Sequence, residues 1–436
     1  YKAIGKFPMG GMHEVAELSP IDSTALAVLK LVQTDRRFTV FHACNSHHIY
    51  MADLIYAMRS YGFKLDIVKD EEFEEAVKEF AKNMAWYKMN NFHLHLSDNL
   101  IFLEDYATID EAVENAYAGF RLESEIPNLT SEDTYYTKDE FRSFIKDSRN
   151  MGVNIIPEFD MPAHALAITR AFPNLMTKEA GGNHSYLIEE LDIRKDGALD
   201  AAKSVWAQYF KGDDPVFDKD TTVHIGTDEF HGNGGNEYFR SFSDSMIKYI
   251  QGTGRDVRMW GSLSNKNGKT PVASKDVQLN IWNTGYANPK NMYDLGYDLI
   301  NTLEGSLYIV PSAGYYSDYL NSQNLYNNWV PNNFSGTVLR AGDKQVLGGT
   351  YAIWNDQIDT RGNGITEYDD FDRFFQPLPS LSEKMWGEGT DRTYAQMRAV
   401  AEKVDTAPNT NPYYEADSIG KDVLEYSFDD KKVYDE

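Results

Sequence analysis

The chain has 436 residues, and its 67 Asp and Glu against 42 Lys and Arg give a formal net charge of −25. A negative field of this size repels phosphate backbones and anionic lipid, so nucleic acids and membrane surfaces are not expected as partners. The single cysteine, Cys44, excludes an internal disulfide and a thiolate metal cluster. No apolar run reaches the roughly 18 residues of a membrane span, so no membrane insertion is predicted.

From residue 62 onward, β-rich apolar runs alternate with helical patterns. The predicted strands are 63–68, 91–96, 153–158, 222–226, 256–260, 277–282, 298–302 and 348–353. The predicted helices are 71–89, 138–150, 196–210, 236–252 and 390–403. Eight strands separated by helices or long loops predict an α/β fold, specifically a (β/α)8 TIM barrel. A doubly wound sheet is the alternative, but the length of the span suits a barrel with enlarged loops.

Three domains are predicted from the changes in composition along the chain. Residues 1–61 form a small α/β segment of a non-standard kind, and residues 62–403 form the barrel. Residues 404–436 contain a Pro- and Asn-rich linker and then DVLEYSFDD, which predicts the first strand of a truncated C-terminal module.

Polar and aromatic side chains gather where the predicted strands end. They are His95, Asp98, Glu158, Asp160, Asp228, Glu229, Trp260, Trp282, Trp354 and Asp356. In a parallel barrel these strand ends open onto one face, so we expect the active site there.

Asp228 and Glu229 are adjacent at the end of the run TVHIG. Neighbouring side chains on extended backbone point apart, so two such acids converge only where the strand gives way to a loop. One carboxyl can then position a group while its neighbour transfers a proton. The alternative is an ordinary helix start, since Asp and Glu favour the first turn of a helix.

Asp98 and His164 follow the two preceding strands, which predicts an Asp–His–Glu relay that ends on Glu229. A buried structural histidine is the alternative for His164. The pattern His93-x-His95 could indicate zinc, because alternate residues of a strand share a face. A third ligand does not follow at an expected spacing, so inner packing is favoured and no metal is expected.

The chain is rich in aromatic residues, with 28 Tyr and 7 Trp. Aromatic faces stack on sugar rings and on bases, and the acidic balance favours sugars. Trp260, Trp282 and Trp354 end three predicted strands and could form an apolar box around an N-acetyl group. Barrel packing is the better interpretation for any single Trp, but not for all three.

Four segments resemble motifs of glycoside hydrolase family 20, which contains β-N-acetylhexosaminidases and lacto-N-biosidases. They are MAWYKMNNFHLHLSDN (84–99), NIIPEFDMPAHALA (154–167), HIGTDEF (224–230) and YAIWNDQID (351–359). The resemblance covers residues 63–403 in order, and four spaced motifs are highly specific. The stretches GFRLES, GYYSDYLN, LYNNW and FDRFFQPLP are more similar to the lacto-N-biosidase branch.

The resemblance implies a retaining glycosidase in which the 2-acetamido group of the substrate is the nucleophile, an exception to the two-carboxylate scheme. Glu229 would protonate the glycosidic oxygen and later activate water, and Asp228 would orient the acetamido group. Tyr316 would bind the acetamido oxygen, with Tyr315 as the alternative. The remaining implied site residues support the acid (Asp98 and His164) or bind the sugar (Trp260, Trp282, Trp354, Asp318, Asp356 and His95). No metal or organic cofactor is implied.

The chain departs from the family at one sugar-binding position. Exo-acting members carry an Arg just before the Gly of the first barrel strand, and here that position is Tyr61. Loss of this clamp fits a pocket whose N-acetylglucosamine already carries a galactose. The sequence therefore predicts release of lacto-N-biose from β-linked oligosaccharides or glycoconjugates. An exo-β-N-acetylhexosaminidase and a catalytically impaired glycan-binding protein are the alternatives.

Residues 1–75 resemble instead the C-terminal part of a short-chain-dehydrogenase-type thioester reductase. A Gly-rich nucleotide loop and a Tyr-x-x-x-Lys pair are not evident there, so a nicotinamide-dependent reductase is disfavoured. The family resemblance predicts an extracellular or bacterial cell-surface location, although no signal peptide is visible in this sequence. The sequence does not predict the oligomeric state.

Overall fold

The computed structural model describes residues 71–408 and 410, with gaps at 101, 180–185, 233–234, 358–364, 366 and 388–390. It also describes six short strand segments outside this range, and its described side chains begin at Val77. The chain divides into two compact units, Tyr1–Glu75 and Ala76–Glu436.

The first unit contains two pairs of short strands. Lys6–Pro8 pairs in parallel with Asp66–Val68, and Val15–Glu17 pairs antiparallel with His48–Tyr50. The predicted first barrel strand, 63–68, therefore overlaps a strand that pairs within this unit and not with the barrel sheet. The predicted domain boundary between residues 61 and 62, and the reductase-like residues around it, lie outside the described residues and stay predictions.

The second unit is built on a seven-stranded parallel sheet whose strands are neighbours in chain order. They are Asn91–His95, Asn154–Met161, Val223–Gly226, Val257–Trp260, Val277–Ile281, Asp298–Asn301 and Val346–Gly349. These correspond to seven of the eight predicted strands. The last prediction, 348–353, continues into Ala352–Ile353, which pairs in parallel with Tyr308–Ile309. The parallel strands with their surrounding helices curl into part of a barrel and confirm the predicted α/β barrel class.

Helices follow the strands along the chain. The longer ones are Glu71–Trp86, Lys138–Asn150, Ala198–Ala207, Asn236–Gly252, Glu367–Phe375, Leu378–Trp386 and Tyr394–Val404. The shorter ones are Ile109–Asn115, Leu166–Ala171, Pro289–Asp294, Glu304–Leu307 and Ser322–Asn328, with 3-10 turns at Leu103–Asp105, Pro173–Leu175 and Leu187–Glu189. Within the described range, none of the helices has the length and apolar character that crossing a membrane requires.

Local sequence explains where these helices begin. Thr137 and Glu140 form a reciprocal capping box at the start of Lys138–Asn150, and Thr393 and Gln396 do the same for Tyr394–Val404. Each box satisfies two backbone donors that the first turn would otherwise leave unpaired.

Short antiparallel strand pairs lie outside the seven-stranded sheet. Ser97–Asn99 pairs with Ala118–Phe120, and Asn333–Phe334 pairs with Thr337–Val338. Near the C-terminus, Glu425–Ser427 pairs with Lys432–Tyr434. The first strand of that last pair falls within the predicted strand DVLEYSFDD.

An aromatic cluster joins the two ends of the second unit. Phe80 packs against Phe92, Phe371 and Phe374, with ring centroids 6.1, 5.4 and 4.8 Å apart. Hydrogen bonds reinforce the join, since the Tyr87 hydroxyl donates to the Asp405 carbonyl (3.0 Å). The helices that flank the sheet ends thus hold each other in place.

Register places the polar side chains inside the sheet. Glu158 lies opposite His95 on one neighbouring strand and opposite His224 on the other. All residues of Asn154–Met161 after the first are buried. Because opposite residues of neighbouring strands point to the same face, these three side chains meet in the barrel interior.

Candidate active site

The two adjacent acids lie at a left-handed turn. The strand Val223–Gly226 ends in a glycine with φ +73°, and Thr227 and Glu229 have φ +80° and +32°. Positive φ is unfavourable for a β-branched residue such as Thr227, and such local strain is commonly found at functional sites. The turn breaks the alternation of an extended strand, so Asp228 and Glu229 both reach His164.

The predicted relay is present. The Nδ1 atom of His164 lies 3.2 Å from Asp98 Oδ1, and its Nε2 atom lies 3.3 Å from Glu229 Oε2. Burial lowers the pKa of His164, but the charge and hydrogen bonds of its carboxylate neighbours outweigh it and leave the pKa well above its usual value. His164 is therefore a protonated imidazole that bridges two carboxylates.

Glu229 is the most accessible member of the relay, with 40% of its side chain exposed. Burial raises the pKa of its carboxyl, but the hydrogen bond and the positive charge of His164 dominate and lower it. These opposite shifts favour a proton on His164 over a proton on Glu229.

Asp228 lies against a second carboxyl, that of Asp160. Ligand atoms of Asp160, His164 and Asp228 all lie within 4.8 Å of one another. Burial, and then the negative charge of Asp228, raises the pKa of Asp160 well above its usual value. Burial also raises the pKa of Asp228, to about 6, against the opposing charge of His164. The proximity of the two carboxyls therefore favours the protonated form of Asp160.

Gly226 makes room for this carboxyl pair. A Cβ atom at Gly226 would lie 1.8 Å from Asp160 Oδ1 and 2.6 Å from its Cα. We expect Gly226→Ala to lower the free energy of unfolding by about 3 kcal/mol or more, because it adds a clash to an unfavourable left-handed φ. Denaturant unfolding measures the loss.

Gly152→Ala is the matched control for this substitution. Gly152 has φ +89°, but its Cβ would meet nothing within 4 Å. Gly152→Ala should therefore lower the free energy of unfolding only by the cost of a left-handed φ for alanine, about 1–2 kcal/mol. Equal losses at both glycines would contradict the steric argument.

Glu158 is the centre of a buried polar cluster inside the barrel. Its Oε2 atom lies 2.6 Å from His95 Nδ1 and 2.9 Å from His93 Nε2. Its Oε1 atom accepts the Trp260 indole N–H at 2.6 Å and lies 2.9 Å from His224 Nδ1. Burial raises the pKa of Glu158, but the three imidazoles outweigh it and hold the pKa well below its usual value. Glu158 is an ionised carboxylate at full hydrogen-bonding capacity.

An aromatic wall extends from this cluster toward the acids. Trp354 lies 4.9 Å from the His95 ring, 5.9 Å from Trp260 and 5.7 Å from Tyr308, between ring centroids. Tyr308 in turn lies 5.0 Å from Tyr316. Trp260 is only 2% exposed and donates to Glu158, so it packs behind the wall. Trp354 and the two tyrosines form its outer face.

Trp282 lies on the opposite border of the site. Its ring is 4.5 Å from Tyr286. Burial, and then the charges of Glu229 and Asp228, raises the pKa of Tyr286 to about 12. A cavity of about 480 Å³ opens beside Trp282 and is lined mainly by amides, hydroxyls and Glu304. The lining includes Trp282 and Glu304 but neither Asp228 nor Glu229, so the cavity is distinct from the immediate surroundings of the two acids.

Several predicted sugar-binding residues have partners of their own. The Tyr316 hydroxyl donates to Glu304, and the Tyr315 hydroxyl donates to Asp356 Oδ2 at 3.1 Å. To bind an acetamido oxygen, Tyr316 would have to release Glu304. The roles predicted for Tyr316, Tyr315 and Asp356 stay predictions.

Two other predicted residues are engaged within the fold. Asp318 accepts the Ser312 backbone N–H at 2.5 Å and so stabilises its own loop. Both ring nitrogens of His95 are hydrogen-bonded, to Glu158 and to Asp98. A bond from His95 to substrate would require one of these to break, so its contacts favour a structural role over the predicted sugar contact.

Some of the buried groups have the spacing of a metal site. Ligand atoms of His93, Glu158 and His224 lie within 4.8 Å of one another. However, hydrogen bonds among these side chains already balance the charge of Glu158, and burial lowers the pKa of His224 to about 3. Both Glu158 oxygens are thus engaged, while the buried His224 Nε2 has no hydrogen-bond partner among the described residues, and the expectation of no metal stays a prediction.

The sequence interpretation omitted five residues that border the site. Glu304 follows the strand Asp298–Asn301 and would have been found by the strand-end rule that selected its neighbours. His224 is a polar residue inside an otherwise apolar strand, which is also a readable signal. Asn283 directly follows the predicted strand 277–282 and would have been found by the same strand-end rule. Tyr286 lies in a loop and Tyr308 in a two-residue strand, and there local sequence gives no indication of what the side chains face.

The profile of glycosyl hydrolase family 20, catalytic domain, matches residues 59–237 and 232–388, which is more than half of the chain. The chain belongs to glycosyl hydrolase family 20. This confirms the family predicted from the four motifs, whose members are enzymes that hydrolyse glycosidic bonds.

Two curated relatives illustrate the range of the family. A lacto-N-biosidase of Bifidobacterium bifidum is 27% identical over 336 residues, covering 70% of this chain and 28% of the relative. A chitooligosaccharidolytic β-N-acetylglucosaminidase of Ostrinia furnacalis is 24% identical over 410 residues, covering 82% of this chain and 63% of the relative. The chain thus spans less than two thirds of the length of either relative.

Solved structures agree on the fold. A β-N-acetylhexosaminidase of Bacteroides fragilis superposes with a TM-score of 0.58 at 21% identity, covering 76% of this chain and 66% of that chain. An exo-β-N-acetylglucosaminidase of Vibrio harveyi, in complex with N-acetylglucosamine, gives a TM-score of 0.57 at 20% identity, with 78% and 57% covered. At these identities the likeness supports the family fold, a TIM barrel.

Proposed function

We propose that this chain is a retaining β-N-acetylhexosaminidase-type glycosidase that uses the 2-acetamido group of its substrate as nucleophile, and that it releases lacto-N-biose. The observation that carries the proposal is the convergence of Asp228 and Glu229 on His164 at one end of the sheet. Both carboxyls are partly exposed, but burial raises the pKa of Asp228, whereas the contact with His164 lowers the pKa of Glu229. This pairing suits one group that holds an amide and one that transfers a proton.

The chemical steps divide between the two acids. Glu229 protonates the glycosidic oxygen as the bond from that oxygen to C1 breaks, and the acetamido carbonyl oxygen bonds to C1. Asp228 accepts the acetamido N–H and stabilises the positive charge of the resulting oxazolinium ion. Glu229, now ionised, takes a proton from water, whose oxygen attacks C1 from the face that the leaving group left.

The proton for the first step is stored on His164. Before substrate binds, Glu229 is ionised and its partner imidazole, 3.3 Å away, is protonated. A bound sugar excludes water from the exposed side of Glu229, which favours the neutral carboxyl. Transfer along the existing hydrogen bond then gives the acid that bond cleavage requires.

The rate is expected to fall as the pH drops below about 6. Burial raises the pKa of Asp228 to about 6, and Asp228 must be ionised to stabilise the oxazolinium ion. Its active form is therefore present above this pKa and is lost as the pH falls through it. The pH profile of kcat/KM checks this, and an acidic limb near the usual aspartate value of about 4 would contradict it.

Release of a disaccharide is supported by three observations. The motif stretches resemble the lacto-N-biosidase branch, a lacto-N-biosidase is among the relatives, and a polar cavity of about 480 Å³ adjoins Trp282. Parallel assays on an aryl β-lacto-N-bioside and an aryl β-N-acetylglucosaminide test the proposal. Faster release of the disaccharide supports it, and a preference for the monosaccharide identifies an exo-β-N-acetylhexosaminidase instead.

A catalytically impaired glycan-binding protein is the second candidate. The described part of the predicted first strand, Asp66–Val68, pairs with Lys6–Pro8 and not with the seven-stranded sheet. Calorimetric binding of the glycan without any product would identify this case. A location outside the cell, predicted from the family resemblance, remains part of the proposal.

A further inference from the structure

We propose that Glu158, at the buried end of a hydrogen-bonded chain of alternating carboxyls and imidazoles, is a positioning residue for the acid Glu229. This inference rests on the proposed function. It assigns a role in the acid step to a side chain that is fully buried.

Four consecutive hydrogen bonds link Glu158 to Glu229 through three intermediate residues. Glu158 Oε2 lies 2.6 Å from His95 Nδ1, and His95 Nε2 lies 2.8 Å from Asp98 Oδ2. Asp98 Oδ1 lies 3.2 Å from His164 Nδ1, and His164 Nε2 lies 3.3 Å from Glu229 Oε2. The three-residue relay predicted from sequence is thus the outer part of a five-residue chain.

His95, Asp98 and His164 each bind one neighbour with each of their two polar side-chain atoms. His95 binds one carboxylate with each ring nitrogen, and Asp98 binds one imidazole with each oxygen. The commitment of Asp98 Oδ2 to His95 therefore leaves Oδ1 alone to orient His164. If His95 turned away, Asp98 would keep the Asn99 backbone N–H on Oδ1 (2.7 Å) but would lose the partner that holds Oδ2. The carboxylate could then rotate about the remaining bond, and His164 would be directed less tightly toward Glu229.

The inner end is fixed by the barrel. Strand register holds Glu158 between His95 and His224, and Trp260 and His93 supply two further bonds. A carboxylate with four partners in a closed interior has one orientation, so it can determine the tautomer and the rotation of His95.

Charges alternate along the chain. Ionised Glu158 and Asp98 flank His95, and their charges hold its pKa well above the usual value despite burial. The other charged or titratable groups that face Glu158 are His93, His224, Arg258 and the pair Asp160 and Asp228. Replacing Glu158 by a neutral amide removes one of the two negative charges that raise the pKa of His95, so the alternation of charge is weakened at its second member.

The test compares leaving groups in Glu158→Gln, His95→Gln and His93→Gln. A dinitrophenyl leaving group departs without protonation, whereas a methyl or sugar leaving group needs the acid. We expect Glu158→Gln and His95→Gln to lose at least about tenfold more kcat on the methyl glycoside than on the dinitrophenyl glycoside. A purely structural role would lower both rates equally and would overturn the proposal.

His93→Gln is the matched control, because His93 binds the same Glu158 oxygen but lies outside the chain. It should lower both rates by the same factor. Two residues of the hydrogen-bonded chain are substituted separately. If Glu158→Gln does not fold, the rates of His95→Gln still test the proposal.

A second readout separates failure of this proposal from failure of the proposed function. The imidazole N–H signal of His164, observed by NMR without substrate, is expected to move in Glu158→Gln and to stay in His93→Gln. An unchanged signal in folded Glu158→Gln would overturn the proposal even if the protein hydrolyses no glycoside. Absence of hydrolysis by the unmodified chain would instead count against the proposed function alone.

Discussion

Glu229→Gln is expected to cost about 3–6 kcal/mol of transition-state stabilisation for a substrate with a poor leaving group. Gln keeps the size of the side chain but can neither donate the proton to the glycosidic oxygen nor accept one from water. It also removes the negative partner of His164, which lies 3.3 Å away. The loss should appear in kcat/KM for an oligosaccharide substrate.

Glu132→Gln is a suitable control for this experiment, because Glu132 is an exposed carboxylate. It should leave kcat/KM unchanged. Azide offers a further check, since a small nucleophile can replace water in the second step when the general base is missing. Near-normal turnover of Glu229→Gln would remove this residue from the acid/base role.

Asp228→Asn is expected to cost about 3–4 kcal/mol, the usual effect of removing one electrostatic contact to a developing charge. The substitution removes the carboxylate that accepts the acetamido N–H and balances the oxazolinium ion. It also removes the negative charge that, after burial, raises the pKa of the neighbouring Asp160. The loss should fall mainly on kcat, because the charge develops only in the transition state.

A series of N-acyl groups tests the same step from the side of the substrate. Replacing acetyl hydrogens by fluorine weakens the carbonyl nucleophile, so the rate should fall with each fluorine in the unmodified enzyme and less steeply in Asp228→Asn. Asp213→Asn, a change at an exposed aspartate, serves as the control. A rate that does not depend on fluorination would refute participation of the acetamido group.

The outer part of the site could be predicted because it lies at the ends of regular strands. Asp98, His164 and Glu229 follow strands whose alternation is readable, and parallel strands present their ends together. The structure confirms the contacts that this rule predicts. The turn that brings Asp228 and Glu229 together depends on Gly226 and on a strained Thr227, and local sequence only hints at such geometry.

The inner part could not be predicted because it depends on register. Glu158 and His95 were recognised as strand-end residues, but only the pairing of three strands reveals that one carboxylate receives three imidazoles. Tyr286 lies in a loop and Tyr308 in a two-residue strand, and neither segment has a periodicity that fixes the direction of these side chains. Likewise, the pairing of Asp66–Val68 with Lys6–Pro8 depends on a partner 60 residues away in sequence, which no local pattern specifies.

The aromatic cluster around Phe80 limits how far the protein can be shortened for expression. Phe371 and Phe374 come from a helix near the end of the second unit, and the Ala407 backbone N–H donates to Asn83 at 2.9 Å. A truncated chain that ended before residue 367 would lack Phe371 and Phe374. Phe80 and Phe92 would then be exposed to water and would promote aggregation. Useful truncations therefore have to retain residues 367–407, although every predicted catalytic residue precedes them.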